Sequence, residues 1–498
     1  MTAHAPLPPR PKLLVRPVQR LFIGGEWVEA ADGRDFETID PSTGQVLARV
    51  ARGGGEDIDR AVKAARAALD GEWGAMRPAD RQALMLRFAD LVEREIEDLA
   101  MLDTLEMGAP IARLPIMRRR SPTVIRFYAG LATAIEGRTV ANSLPAEVVS
   151  YTVREPVGVV GAIIPWNVPM PAALIKLCPA LATGCALVLK PSEDASLSSI
   201  RLMELLEEAG LPAGAVNLVT GYGAESGSAL AAHPDIDKVA FTGSTATGRA
   251  VIEASKSNLK RLSLELGGKS PDIIFADAAL DKAVPGAAMG VFGNTGQVCF
   301  AGTRLFVQWP VFEEVVERLA AFAGKLKVGP ATDPATQIGP IASERQLERI
   351  LGYLKAGTEE GAVAVAGGDR LTGPDHAAGC FVEPTVFRDA TAEMQIVREE
   401  IFGPVVAIVP FDDEAEVTAR ANATVFGLGA GVWTRDIGRA HRMTRRIRSG
   451  TVWVNSYGLM DPAMPMGGMK QSGYGRESGV EHLDEFLETK SVWIDASA

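Results

Sequence analysis

Apolar residues recur every three to four positions, with charges between them, along two stretches before residue 110. One runs through Ile58, Val62, Ala65 and Leu69, the other through Leu84, Leu86, Phe88, Leu91, Ile96 and Leu99. That period predicts amphipathic helices with one face on a core. From Val157 the pattern changes. Val157 to Ile164 is a nearly unbroken apolar run rich in Val and Ile, as expected of a strand covered on both faces. A helical stretch follows near Ala172 to Leu181, then a strand from Ala186 to Lys190. Ser196 to Ala209 reads as a helix with Ser196 as N-cap and Gly210 just past its end. Next come a strand Val216 to Val219, a helix near Ala224 to Ala232, a strand Lys238 to Phe241, a helix from Thr247 and a strand Leu262 to Leu266. Strands alternating with helices predict a parallel sheet with crossovers.

A second alternating series begins at Asp272 to Phe275 and reaches about residue 455. It includes a strand Arg304 to Val307, a helix Phe312 to Lys325 and strands Val405 to Pro410 and Thr451 to Val454. Two α/β domains follow from this. Tyr151 to Arg154 and Ser491 to Ile494 are β-prone pieces outside both series and are expected to form a small separate sheet.

Composition narrows the function classes. A net charge of −11 argues against nonspecific binding to nucleic acid or an anionic membrane. The four cysteines show no C-x-x-C spacing and only five histidines accompany them, so no metal site is expected. Unpaired cysteines fit a reducing compartment. Residues 1–20 lack the apolar core of a secretory signal and read as a flexible leader; no apolar run is long enough to span a bilayer. A cytoplasmic protein is expected.

No G-x-G-x-x-G follows a predicted strand, so the usual dinucleotide fingerprint is absent. Seven other motifs appear in order: Pro165-Trp166-Asn167, Lys190-Pro191-Ser192-Glu193, Phe241-Thr242-Gly243-Ser244-Thr245, Glu265-Leu266-Gly267-Gly268-Lys269, Gly296-Gln297-Val298-Cys299, Glu400-Ile401-Phe402-Gly403-Pro404 and Pro465-Met466-Gly467-Gly468. Cys299 lies among Gly296, Gln297, Ala301 and Gly302, a small-residue setting that a substrate can approach, and a thiolate there is a candidate nucleophile; a lone cysteine is otherwise more often a buried structural residue. Cys178 and Cys185 lie in apolar stretches and read as core. Asn167 precedes Val168-Pro169, where its amide has an ordinary role as a helix cap. Gly243 and Ser244 stand between a strand and a helix, where backbone N–H groups suit a pyrophosphate.

Taken together over residues 20 to 490, these motifs resemble the aldehyde dehydrogenase superfamily, of the NAD-dependent, non-acylating kind. The resemblance implies an α/β fold with a parallel-sheet cofactor domain (21–138 and 157–266), an α/β catalytic domain (267–468) and a small oligomerisation β-sheet (139–156 and 480–498). It implies Cys299 as nucleophile, Glu265 as general base and Asn167, with the Cys299 N–H, as oxyanion donors. For NAD it implies Lys190 and Glu193 at the adenosine ribose, with Glu193 repelling a 2′-phosphate. Gly243 and Ser244 face the pyrophosphate, and Glu400 and Phe402 the nicotinamide riboside. Ile163, Pro165, Trp166, Ser192, Gly221, Gly223, Gly227, Phe241, Thr242, Leu266, Gly267 and Gln346 complete that set. Glu477 matches a second family carboxylate that relays protons; as a helix-start charge it would be unremarkable.

The aldehyde tunnel of relatives corresponds to Val168, Ala172, Ile175, Val298, Phe300, Leu459, Met460 and Met466. These are apolar and carry no fixed charge. The resemblance therefore predicts broad activity on medium-chain aliphatic and simple aromatic aldehydes, and poor activity on betaine aldehyde or dicarboxylic semialdehydes. Partners are a small-molecule aldehyde and further copies of the chain, as homodimer or homotetramer. Two rivals stand beside this reading. An acylating dehydrogenase passing its acyl group to coenzyme A typically lacks the base at the Glu265 position. A non-catalytic relative would be expected to lose the nucleophile or the base.

Overall fold

The computed structural model describes residues 11–145 and 147–495. Its elements include α1 (Leu114–Leu131), β1 (Val159–Ile163), α2 (Pro169–Thr183), β2 (Ala186–Lys190), α3 (Leu197–Glu208), β3 (Val216–Leu218), β4 (Lys238–Thr242), α4 (Thr245–Ala254) and β5 (Arg261–Glu265). β1 to β5 form the parallel part of an eight-stranded sheet. Its order is Gly473–Tyr474, β5, β4, β1, β2, β3, then an antiparallel hairpin of Leu21–Ile23 and Glu26–Val28. β1 to β3 run outward on one side and β4 and β5 on the other. The order therefore reverses between β1 and β4, and an open α/β sheet binds ligands outside the strand ends at such a point.

Residues 266–270 carry the chain from β5 directly into Pro271–Ile274, an inner strand of a second, seven-stranded sheet. That sheet is parallel except for its edge strand Val363–Ala366. Its five inner strands are buried along most of their length, which is why they read as continuous apolar runs. Val148–Pro156 and Leu487–Asp495 pair antiparallel in a two-stranded sheet of their own, with Tyr151 opposite Val492.

Most expected strands fall within two residues of the observed ones. The departures have local causes. The second N-terminal helical stretch is two helices, Pro78–Arg94 and Ile96–Met107, broken at Glu95. Ser196 stands at the N-cap of α3, but its hydroxyl makes no cap bond; the Leu197 N–H donates to Glu106 Oε2 at 2.7 Å. Thr38 donates to the other oxygen at 2.9 Å, and burial raises this carboxyl to about 8. The helix expected from Thr247 starts at Thr245, because Ser244 Oγ accepts from the Thr247 N–H. The stretch near Ala224 opens as a π-turn, Gly223–Gly227.

Part of the expected flexible leader is packed. Lys12–Val15 form a 3-10 turn, Leu13 is buried, Gln19 donates to the Leu13 carbonyl at 2.9 Å, and Val18–Gln19 pair with Val46–Ala51. Residues 1–10 lie outside the described residues.

Candidate active site

Three chain turns meet at the switch point. β1 ends in Pro165-Trp166-Asn167. α2 then starts at Pro169 with Val168 as N-cap and no side-chain cap bond. The Asn167 amide, freed from capping, donates to the Gln297 carbonyl at 2.9 Å, two residues before Cys299. Asn294 Nδ2 donates to the carbonyls of Asn167 (3.0 Å) and Gln297 (3.3 Å), and its own oxygen accepts from Arg113. Asn294, Thr295 and Gly296 are consecutively left-handed, with φ of 54°, 56° and 68°. For the two non-glycine residues this costs roughly 1–2 kcal/mol each, so the bonds around them hold a strained turn. Thr295 Oγ1 accepts from the Gly339 N–H at 3.1 Å, and Gln297 Oε1 accepts from Ala342 at 3.0 Å.

Cys299 sits at the end of this turn, half-buried, whereas Cys178, Cys185 and Cys380 are buried. Its thiol is pushed well up, first by burial, then by the carboxylates of Glu400, Glu265 and Glu477. A thiol in such surroundings stays protonated until a base takes its proton.

Glu265 is the last residue of β5. Burial raises its carboxyl well above the usual range, and Glu477 adds repulsion; Lys176, Arg476 and the Gly468 N–H pull it back down. Its Oε1 is buried and has no hydrogen-bond partner. The Gly473–Tyr474 strand pairs with β5, Glu265 opposite Gly473, and so brings Glu477 alongside. Glu477 pairs with the buried Lys176 of α2 and accepts from Thr242 Oγ1 at 3.3 Å. The two glycines after Glu265 are both required. A Cβ on Gly267 would overlap the Glu400 carboxylate, and one on Gly268 would overlap the Cys299 carbonyl. Those close approaches tie the two sheets together at the nucleophile.

The residues expected to hold the cofactor gather on the other side. Ile163 pairs with Lys190 and Phe241 across β1. Buried Lys190 bonds Glu193 at 3.2 Å, Ser192 Oγ accepts from Asp194 at 3.3 Å, and Gly227 lies against the Lys190 side chain. Gly221 turns at φ 145° and nothing stands over Gly223. The Gly243 N–H donates to the Glu265 carbonyl at 3.0 Å, so it is spent, and Ser244 caps α4. The Leu266 N–H is likewise spent on Ser472. Glu400 Oε1 accepts from Gly268 at 3.0 Å; burial raises its carboxyl to about 7. Phe402, left-handed at φ 62°, meets Trp166 edge-on at 5.3 Å, and Gln346 donates to its carbonyl at 2.9 Å. A cleft of about 690 Å³ borders Ser244 and Glu400 but runs away from Cys299 toward Arg349 and Arg420.

A model of the aldehyde dehydrogenase family matches residues 27–492. This chain belongs to the aldehyde dehydrogenase family. It is 46% identical to the DhaS protein of Bacillus subtilis over 96% of each chain, and 45% identical to aldehyde dehydrogenase 1 of Tanacetum cinerariifolium over 95% and 94%. The NAD+ complex of an aldehyde dehydrogenase from Bacillus cereus superposes with a TM-score of 0.96 at 46% identity, covering 99% of this chain and all of that one.

Within this aldehyde dehydrogenase fold, the residues expected to line the aldehyde tunnel come from three segments. Val168, Ala172 and Ile175 lie at helical spacing at the start of α2. Phe300 follows Val298 and Cys299; its ring packs on Trp453 at 5.4 Å and its carbonyl accepts from Tyr457 Oη at 2.6 Å. Trp453 holds the Leu459 carbonyl at 2.8 Å, and Met466 exchanges two 2.7 Å backbone bonds with Glu477. None of these eight side chains is charged, and a cation from outside the set reaches the backbone of one of them. Arg120 of α1 donates from Nη2 to the Met460 carbonyl at 3.0 Å.

Sequence reasoning missed Arg120, Arg113, Asn294 and Lys176. Lys176 had a signal: it is a lone charge in an apolar helix, and a fully buried lysine is rare without a partner. Arg120 had none, because Arg118-Arg119-Arg120 reads as a solvated face.

Proposed function

We propose that this protein oxidises an aldehyde to a carboxylic acid with NAD, through a thioester on Cys299 that is hydrolysed with Glu265 as base. The observation that carries the reading is the unpartnered Glu265 Oε1 in the group of carboxylates that bears on Cys299. A buried carboxyl with its pKa raised can take a proton near neutral pH and return it. Glu265 removes the thiol proton, and Cys299 adds to the aldehyde. Asn167 has a second amide N–H beyond the one spent on Gln297, and it meets the developing oxyanion with the Cys299 N–H. NAD, when bound, supplies the hydride acceptor. Once Glu265 has passed the thiol proton on toward solvent by way of the neighbouring Lys176–Glu477 pair, it takes a proton from water as the water attacks the thioester. The C–S bond breaks, the acid leaves, and the Cys299 thiolate recovers a proton from Glu265.

The residues present fit a dinucleotide. Lys190 and Glu193 form a paired cation and carboxylate at the end of β2, suited to ribose hydroxyls and hostile to a 2′-phosphate. α4 offers its N-terminal amides and Ser244 to the pyrophosphate. Glu400 and Phe402 hold the nicotinamide riboside side. The Bacillus cereus NAD+ complex supports the same cofactor here.

The two-stranded sheet exposes Val149, Trp493 and Ile494, apolar side chains that a second copy of the chain covers in a homodimer or homotetramer. No helix among the described residues is long and apolar enough to cross a membrane, and the free cysteines fit the cytoplasm. An NADH absorbance assay with simple aldehydes, run with and without coenzyme A, tests the reading. Turnover without coenzyme A is expected; strict dependence on it identifies acyl transfer, and no turnover with any aldehyde refutes oxidation.

A further inference from the structure

We propose that Arg120 makes the site selective for aldehydes that carry a carboxylate at the end remote from the aldehyde carbon, ω-oxo acids in preference to plain alkanals. The inference rests on the oxidation reading above and names its substrate class.

Arg120 is half-buried where α1 meets the loop of Met460. A guanidinium carries five N–H donors in a fixed fork. The Met460 carbonyl accounts for one of them. Of the other arginines along α1, Arg118 pairs with Glu97 and Arg126 with Asp90 and Glu93, while Arg119 is exposed to solvent. Among the described residues, no carboxylate lies within ion-pairing distance of Arg120. Asp461 is the acid next to it, and its Oδ1 accepts instead from the Ala463 N–H at 2.9 Å. Arg113 stands seven residues earlier, two helical turns away on the same side, and is also half-buried without an ion pair. Its one bond goes to Asn294, beside the oxyanion donors.

A desolvated cation without a counter-ion is unfavourable, and an anionic ligand relieves it. The expected tunnel wall between this rim and Cys299 is apolar, so a methylene chain is held by burial while the terminal carboxylate meets the fork bidentately. A cationic aldehyde would be repelled by both arginines. If Arg120 were only a strap for the Met460 loop, it would support acid and neutral substrates alike.

The test compares kcat/KM for an ω-oxo acid and for its methyl ester, matched in length, in wild type, Arg120→Met and Arg120→Lys. The wild type is expected to favour the acid by about tenfold or more, the size of a charge-assisted pair. Its KM for the acid, and not for the ester, should rise with salt. Arg120→Met should bring the acid-to-ester ratio toward one, and Arg120→Lys should restore part of it. A wild type that oxidises the ester as fast as the acid, or an Arg120→Met variant that loses both equally, overturns the proposal while leaving the oxidation reading intact. A protein that oxidises no aldehyde overturns both.

Discussion

Lys176 and Lys238 are both buried lysines that reach glutamates of the C-terminal segment. Lys176 is 1% exposed and pairs with Glu477; Lys238 is 0% exposed and bonds Glu485 at 3.2 Å. By burial and pairing they are alike. Their surroundings differ. Glu477 stands beside Glu265, whose Oε1 has no partner, and within electrostatic reach of Cys299. Lys238 faces the Phe486 ring, 5.6 Å from its Nζ, and its pair closes the C-terminal segment onto β4. A buried ion pair is thus no sign of chemistry by itself. An unsatisfied third group beside it is.

Removing each amine in turn separates the two lysines. Lys176→Met should lower kcat by about a hundredfold or more, the usual scale of a disabled proton-transfer group. Because Lys176 holds the Glu265 carboxyl down, its loss should also move the rising limb of the pH–rate profile to higher pH. Lys238→Met should leave kcat within about twofold and act on stability instead. Equal kinetic damage from the two variants would erase the distinction.

Glu106 offers a buried carboxyl with no reactive neighbour. Glu106→Ala strips an acceptor from the first amides of α3 and from Thr38, and should cost about 2–3 kcal/mol of stability in urea titrations with kcat unchanged. A loss of activity at full stability would mean that the group acts in the reaction.

The pH dependence of stability sharpens the Lys238 side. Burial lowers its amine from the ordinary 10.5 to about 8. Between those values the unfolded chain keeps a proton that the folded one has shed. Stability therefore gains from this group as pH rises from about 8 toward 10.5, and the group contributes no slope below 8. In Lys238→Met that gain should vanish from urea midpoints measured across the range; an unchanged slope would show that Lys238 is not its source.

The smallest effect is expected at the cofactor end. Glu193→Ser should narrow the NAD-over-NADP ratio of kcat/KM by about tenfold, the order of one repulsion between partly screened charges. A wild type that prefers NADP contradicts the role of Glu193.

The parallel sheets were legible because their strands are covered on both faces and so appear as runs such as Val157 to Ile164. The motif residues were legible in kind: Asn167, Glu265, Cys299 and Glu400 do converge. What escaped was set by tertiary contact. Glu106 replaces Ser196 as the cap of α3 from 91 residues away. Asn294 is a left-handed residue whose strain appears only when Arg113, Asn167 and Gln297 surround it. The short hairpin Leu21–Ile23 and Glu26–Val28 has too few residues to show a period.

In the proposed reaction Cys299 carries the acyl group and Glu265 releases it. Rapid mixing of Glu265→Gln with NAD and aldehyde, followed by peptide mass analysis, tests it most directly. The expected result is release of about one NADH per site, a steady rate reduced by about a hundredfold to ten-thousandfold, and the acyl mass on the peptide containing Cys299. Wild-type steady turnover, or an acyl group on Cys178, Cys185 or Cys380 instead, would contradict it.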